Sequence, residues 1–502
     1  VTAFQGLPKD DAALVDAVRS ANLPTLMMVM VHLTGDLRLM RGEIRPRRAS
    51  PQQPEGGFSD QHAHAIREQA LQILRAFRDS AGALPPLPSV EVMSEMMSFS
   101  LGQEVPPEYV PMMLEDMTLG GARARPAAEG ALRSDFHVLI IGAGMSGLLA
   151  AIELQHAGIA YTLVEKNPDV GGTWFENSYP GCRVDLPNHF YSYSFEPNHD
   201  WPDHFSRRGE LLAYFQRVAD RYGVRAHARF ETEVLAASYD AARPAAPWRV
   251  TLRGRDGRED IVHADALISA VGQLNRPSIP ALPGLESFAG PVFHTAQWRH
   301  DLDLQGKRVA IIGTGASAMQ VVPQLAPELK RLVIFQRSPQ WAIPNPDYFR
   351  EVSPGMKWLL HHVPYYAPWY RFRLFYTNAD GLHAGLHVDP AWPHPRRSLN
   401  AGNERIRNML IEYIDRELGE HKHLREQVVP EYPPFAKRML LDNHWFRTLT
   451  RDNVELVTAP IERVTANGIQ VRDGSHHALD ALVFATGFAA NRFLCPMNIS
   501  GV

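Results

Sequence analysis

Cysteine is almost missing from this chain: two in 502 residues, Cys182 and Cys495, in unrelated surroundings. That excludes a disulfide framework, a Cys-x-x-Cys redox pair and a thiolate metal cluster, so no metal site is expected and a reducing compartment fits. Long apolar runs are missing too. The most apolar early stretch, LPTLMMVMVHL (23–33), is too short to span a bilayer and passes into the polar TGDLRLMRG. The first residues also lack the basic-then-apolar order of a signal peptide. Basic excess is absent: 51 Lys and Arg stand against 55 Asp and Glu, a net charge of −4, which gives no drive toward nucleic acid. The expectation is a soluble, cytoplasmic protein with neither membrane nor nucleic-acid partner. Its length is too great for one core, so two or three domains are expected.

Residues 1–130 read as an N-terminal helical extension. DDAALVDAVRSA and QHAHAIREQALQILRAFRDS place apolar residues at helical spacing, and GGARARPAAEG (120–130) reads as a linker. The extension is expected to pack on the body or on a second subunit. Beyond the linker, strands alternate with helices. FHVLIIGAGMSGLLAAIELQHAGIAYTLVEK (136–166) and KRVAIIGTGASAMQVVPQLAPELKRLVIFQR (307–337) both read strand, Gly-rich turn, helix, strand. Each leads through a meander of short strands to a nearly identical exit strand, DALISAVG (265–272) or DALVFATG (480–487). One nucleotide-binding unit is therefore written twice. The fold class is α/β: two Rossmann-like dinucleotide-binding domains with an inserted helical subdomain and the N-terminal helical extension. The expected bounds are 131–285 for the first domain, 286–306 for a linker, and 307–478 for the second with an insert at about 344–433. Residues 479–502 return to the first domain.

In the first unit Gly142, Gly144 and Gly147 supply a tight turn, close approach to a pyrophosphate and close helix packing, and Glu165 ends the second strand where a carboxylate meets ribose hydroxyls. The second unit has Gly313 and Gly315, with Ala318 in third place. Its second strand ends in Gln336-Arg337, and a guanidinium there suits a 2′-phosphate that a carboxylate would repel. FAD in the first site and NADPH in the second is the economical assignment. In VGGTWFENSYPGCRVDLPNHFYSYSF (170–195), Gly171 and Gly172 let backbone approach a ligand, Trp174 and Tyr191 suit a flat ring, and Asp185 asks for a cation. Lys437 and Arg438, in YPPFAKRMLLDNHW (432–445), have apolar flanks that suggest partial burial, which calls for an anionic partner. Candidate cofactor contacts also take in Thr173, Arg183, Val234, Thr314, Ala316, Ser317 and Ser338. The aromatic run WLLHHVPYYAPWYRFRLFY (358–376) suits a substrate pocket, a core or an oligomer contact.

The connector FAGPVFHTAQWRH carries Phe288, Gly290, His294 and Trp298 and resembles the F-x-G-x-x-x-H-x-x-x-W fingerprint of type I Baeyer–Villiger monooxygenases. That fingerprint usually closes on Pro or Asp; here Arg299 follows the tryptophan. By residue type His294 reads either as a buried linker histidine or as a group near the chemistry. GGTW, YPGCRVD, AVGQLNRPSIP, GTGASA, FQR, KR and ATGF follow in family order from about residue 134 onward. The helical extension resembles the 4-hydroxyacetophenone monooxygenase branch, which implies a homodimer. The resemblance further implies that Lys437 meets the NADPH 2′-phosphate beside Arg337, and that Arg438, partnered by Asp185, reaches over the flavin. It implies oxidation of ketones, aryl ketones such as acetophenones among them, to esters with O2 through an anionic C4a-peroxyflavin. It also implies further chain beyond residue 502. Rival readings are an N- or S-oxygenating flavin monooxygenase on the same two sites, and a non-catalytic nucleotide sensor. A disulfide reductase would need a cysteine pair.

Overall fold

The computed structural model describes residues 6–50, 55–80, 84–116 and 135–501. The linker expected at 120–130 lies outside the described residues. The chain divides into two compact units: Val1–Ala127, Val184–Ser206 and Pro344–Arg407 in one, Ala128–Arg183, Arg207–Ile343 and Asn408–Val502 in the other.

The named strands all belong to the second unit. In chain order they are β1 (His137–Ile141), β2 (Ala160–Val164), β3 (Ala228–Arg229), β4 (Thr232–Tyr239), β5 (Trp248–Gly254), β6 (Glu259–Ala264), β7 (Ala266–Ser269), β8 (Val292–His294), β9 (Arg308–Ile312), β10 (Arg331–Phe335), β11 (Ala342–Ile343), β12 (Leu440–Leu441), β13 (Val454–Val457), β14 (Ile461–Thr465), β15 (Gly468–Val471), β16 (His476–Ala478), β17 (Ala481–Phe484) and β18 (Asn498–Ser500). The first parallel sheet runs β3-β2-β1-β7 and the second β13-β10-β9-β17-β8. The central strands HVLII and RVAII are almost wholly buried. Uninterrupted apolar runs of this kind suit parallel strands covered on both faces.

The repetition reaches individual bonds. The N–H of Gly142 donates to Val164 O at the end of β2, and that of Gly313 to Phe335 O at the end of β10. Asp265 and Asp480, the first letters of the two exit-strand words, each accept the N–H that opens the central strand, from His137 at 2.9 Å and Arg308 at 2.8 Å. Asp480 also grips the Arg308 guanidinium, which draws its carboxyl down to about 2. The meanders are antiparallel: β4-β5-β6 in the first copy, β14-β15-β16 in the second.

Three expected boundaries shift. β17 (Ala481–Phe484) lies between β9 and β8, so the second sheet runs past residue 478; the chain rejoins the first copy at β18, which pairs with β4. The connector at 286–306 is more than a linker, because β8 forms the edge of the second sheet. The insert expected at about 344–433 also divides, with 344–407 joining the first unit and the chain from Asn408 the second.

The first unit is helical. Leu23–Thr34 opens on the cap Asn22, whose side chain accepts the Thr25 N–H, and closes on Gly35 in the left-handed conformation at φ 69. The extension packs on the insert. Asn22 N–H donates to Tyr366 Oη at 2.8 Å, His32 stacks on Tyr365 at 3.6 Å, and the buried Arg373 guanidinium donates to Ser100 O. Tyr366, Trp369, Phe372 and Tyr376 are buried, so much of the aromatic run fills this core. Among the described residues no helix is long and apolar enough to cross a membrane, and no cluster of three or more His, Cys, Asp or Glu side chains suits a metal ion.

Candidate dinucleotide sites

At the carboxyl end of β1 the chain turns at Gly142, with φ 99. A Cβ there would lie 2.8 Å from Ala270 O, and one on Gly147 would fall 1.8 Å from Gly142 O, so strand, turn and helix meet backbone to backbone. Helix Met145–His156 opens on Gly144 without a side-chain cap, the kind of helix start at which an anion binds. Gly172, with φ 51, closes over this turn; its Cβ would lie 2.8 Å from Gly144 Cα. The segment is tied down by Gly171 N–H donating to Ala143 O at 3.0 Å. Thr173 follows, exposed, and Trp174 is buried.

Glu165 is buried at 4% exposure, and its two carboxylate oxygens accept the N–H groups of Ala143 at 2.7 Å and Asn167 at 2.8 Å. Burial pushes its pKa up, against the pull of those two donors. The acid thus braces the glycine turn from below. Beside it opens a cavity of about 560 Å³ lined by polar side chains such as Lys166, Asn167, Glu176 and Asn275 together with the apolar Phe175 and Pro277. Its size and its mixed polar and apolar lining suit the nucleoside end of a dinucleotide. Val234, next to Glu233, is buried in the core under β4.

The second turn repeats this with one difference. Gly313, at φ 111, sits 2.4 Å in Cβ terms from Ala485 O, whereas nothing lies within 4 Å of a Cβ on Gly315. Helix Ala316–Leu325 begins there, again uncapped, with Ala316 exposed, Ser317 half-buried and Ala318 fully buried. Thr314 Oγ1 donates to Ser338 O at 3.1 Å, and Lys437 Nζ donates to Ser338 Oγ at 2.9 Å. Arg337 is exposed and makes no hydrogen bond or ion pair among the described residues. Gln336 is committed elsewhere: buried, it donates to Gln427 O at 2.6 Å. The fold therefore gathers Thr314, Arg337, Ser338 and Lys437 at one end of the second sheet.

Lys437 and Arg438 are both exposed, contrary to the partial burial expected from their flanks. The apolar neighbours fold inward without them. Pro434 and Leu440 are buried, and a turn closed by Ala436 N–H to Pro433 O, with Phe435 at φ 69, throws the cations outward. Asp185 is half-buried and, with Tyr191, belongs to the first unit, whereas Arg438 and Trp174 belong to the second.

In the connector, His294 is buried at 1% exposure at the end of β8. Its Nδ1 accepts the Ala296 N–H at 3.1 Å, its ring meets Phe488 edge-on, and burial lowers its pKa. Phe288 belongs to the core of the second sheet, Gly290 lies where a Cβ would be 2.3 Å from Asp480 O, and Trp298 packs on Phe293. These contacts seat the connector against the second sheet. Arg299 pairs with Asp301 at the surface.

Sequence reasoning missed Gln320. It is buried on helix Ala316–Leu325, accepts Tyr179 Oη at 2.9 Å and Arg183 N–H at 3.4 Å, and donates to Arg183 O at 2.8 Å. Gly181, at φ 81, lets the YPGCR loop rest on that helix, with its Cβ only 2.5 Å from Gln320 O. The available signal was an amide set between Met319 and Val321 in the apolar stretch of ASAMQVVPQL.

A model of the flavin-binding monooxygenase-like family matches residues 135–348. An uncharacterized monooxygenase of Sinorhizobium fredii is 40% identical over 97% of this chain and 73% of its own length. A Baeyer–Villiger monooxygenase of Streptomyces coelicolor is 38% identical over 70% of this chain, which spans 64% of that relative. Among solved structures, OTEMO in complex with FAD and NADP superposes with a TM-score of 0.62 at 31% identity, covering 73% of each chain.

Proposed function

This chain belongs to the flavin-binding monooxygenases of the type I Baeyer–Villiger kind, and from that premise we propose that it converts ketones to esters with O2, FAD and NADPH. Aryl methyl ketones are the proposed substrates, and a homodimer of the 4-hydroxyacetophenone monooxygenase branch the proposed form. The residues present fit the two cofactors. FAD is assigned to the first turn, where Gly172 lies against Gly144 at the helix start and Glu165 stands beside the cavity. NADPH is assigned to the second, where Arg337 and Lys437 present cations without carboxylate partners among the described residues. When bound, NADPH supplies hydride and FAD the activation of oxygen.

The protein's part is charge and position. Arg438 is permanently charged and carries a planar fork of donors, so it lowers the energy of negative charge on the reacting oxygens and on the carbonyl oxygen under attack. The observation that carries this reading is the cluster of Thr314, Arg337, Ser338 and Lys437, because it sets a phosphate-reading group one residue from Arg438.

Arg438→Ala should leave flavin reduction by NADPH within a few-fold of the native rate while ester formation from an aryl methyl ketone disappears. Ester yield equal to that of the native protein would overturn the assignment. Assaying a tertiary amine beside the ketone separates nitrogen oxygenation from ketone oxidation.

A further inference from the structure

We propose that Tyr432 is the positioning residue that holds Lys437 ready for a 2′-phosphate and thereby sets the preference of the second site for a 2′-phosphorylated dinucleotide; this rests on the reading that NADPH binds there. Lys437 Nζ lies 4.5 Å from the centre of the Tyr432 ring and donates to Ser338 Oγ at 2.9 Å. The tyrosine itself is fixed at both ends. Its hydroxyl donates to Pro339 O at 2.8 Å, with Gln340 Oε1 at 3.3 Å, and its carbonyl accepts the indole N–H of buried Trp341 at 2.9 Å. Burial pushes the hydroxyl up to about 12, so it remains a donor at physiological pH.

This arrangement is more specific than a loop anchor. Anchoring needs only the hydroxyl and the backbone bond, both aimed at residues 339–341. The ring face is a separate feature, and the ammonium sits over it. An exposed lysine samples many rotamers, and a ligand that recruits it must bear the cost of ordering it. Ring and Ser338 together hold Lys437 in one place before any ligand arrives, next to Arg337, and leave two ammonium hydrogens for a phosphate. Among the described residues no carboxylate pairs with Lys437 or Arg337, so both cations are uncommitted to protein anions.

The test measures KM and kcat for NADPH and NADH at fixed ionic strength in Tyr432→Phe, Tyr432→Leu, Lys437→Ala and the Tyr432→Leu, Lys437→Ala pair. Tyr432→Leu should raise the NADPH KM by roughly five- to tenfold and the NADH KM by less than about twofold, with kcat held, a ratio set by the strength of a cation–ring contact. Tyr432→Phe keeps the ring and should stay within about twofold of native for NADPH. In the Lys437→Ala background the leucine should change nothing further, since the partner it holds is gone. Equal losses for both cofactors, or a further loss in that background, would overturn the positioning role. Should Lys437→Ala keep the native preference for NADPH, the reading of the second site fails and the proposal with it. Should Lys437→Ala abolish the preference while Tyr432→Leu keeps it, the positioning role alone fails.

Discussion

At the scale of single residues, the glycines separate what the fold needs from what a ligand needs. Gly142, Gly147 and Gly313 are required by the backbone itself, since a methyl at any of them would lie under 3 Å from a carbonyl oxygen. Gly315 is different: it has φ −80, an ordinary value, and open space where a Cβ would go. Nothing in the protein demands a glycine there, whereas a pyrophosphate approaching the helix amides does. Gly315→Ala should therefore fold with a Tm within a few degrees of native, because the helix loses about 1 kcal/mol or less at its cap. Its NADPH KM should rise by at least about tenfold. A large fall in Tm would show a structural role that the geometry denies. Sequence alone could not make this distinction, because the fingerprint lists all its glycines alike, and only the neighbours of each Cβ tell them apart.

At the scale of elements, the repeat was readable because period and wording coincide. HVLII and RVAII carry the continuous apolar pattern of buried parallel strands, and the words DAL in 265–267 and 480–482 mark the acids that pin each central strand. What escaped were features that depend on distant partners. β8 could not be foreseen as a strand because three residues, Val292–His294, gain their conformation from β17 nearly 190 positions later. The outward turn at Phe435 reverses the expected burial of Lys437 and Arg438 because the inward anchors are Pro434 and Leu440. Gln320 looked like helix interior. Its amide pairs with both backbone groups of Arg183, so it fastens the YPGCR loop of the first copy to the dinucleotide helix of the second. Gln320→Leu removes the bonds to Tyr179 Oη and to both backbone groups of Arg183 and should cost about 1–3 kcal/mol. The measurement is the midpoint of urea unfolding; Gln320→Glu, which keeps an acceptor for Tyr179 but loses the donor to Arg183 O, should fall between native and leucine. Native-like stability of the leucine variant would show that the clamp carries no load.

At the scale of the whole molecule, the helical unit and the sheet-bearing unit differ in what acid does to them. Burial also lowers His137, in β1, and His294 in the sheet-bearing unit, but the helical unit holds the histidines that it brings down furthest. His32, stacked on Tyr365, is brought down to about 4 by burial; His199 is also brought down to about 4 by burial, then by His361, against the opposing pull of Asp200; His204 is brought down to about 3 by burial and Arg350. In each case the folded pKa lies below the unfolded value of about 6.5. Between those limits the unfolded chain binds protons that the folded one refuses, so stability is fully present above pH 6.5 and falls as pH drops toward 4. Each such histidine withdraws up to about 1.4 kcal/mol per pH unit within that window. By pH 4 three of them together withdraw about 10 kcal/mol, the same order as the whole stability of a domain. Hydrogen exchange at pH 7 and pH 5 should therefore show the Leu23–Thr34 and Tyr366–Asn378 helices losing protection at the lower pH. The strands β1 and β9, remote in sequence from these histidines, should keep theirs. His32→Phe preserves the stack on Tyr365 and removes one titrating group, so it should shift the loss of protection to lower pH. Loss of protection in β1 and β9 together with the helices, unchanged by His32→Phe, would mean that acid acts on the molecule as one cooperative body and that these histidines do not set its limit.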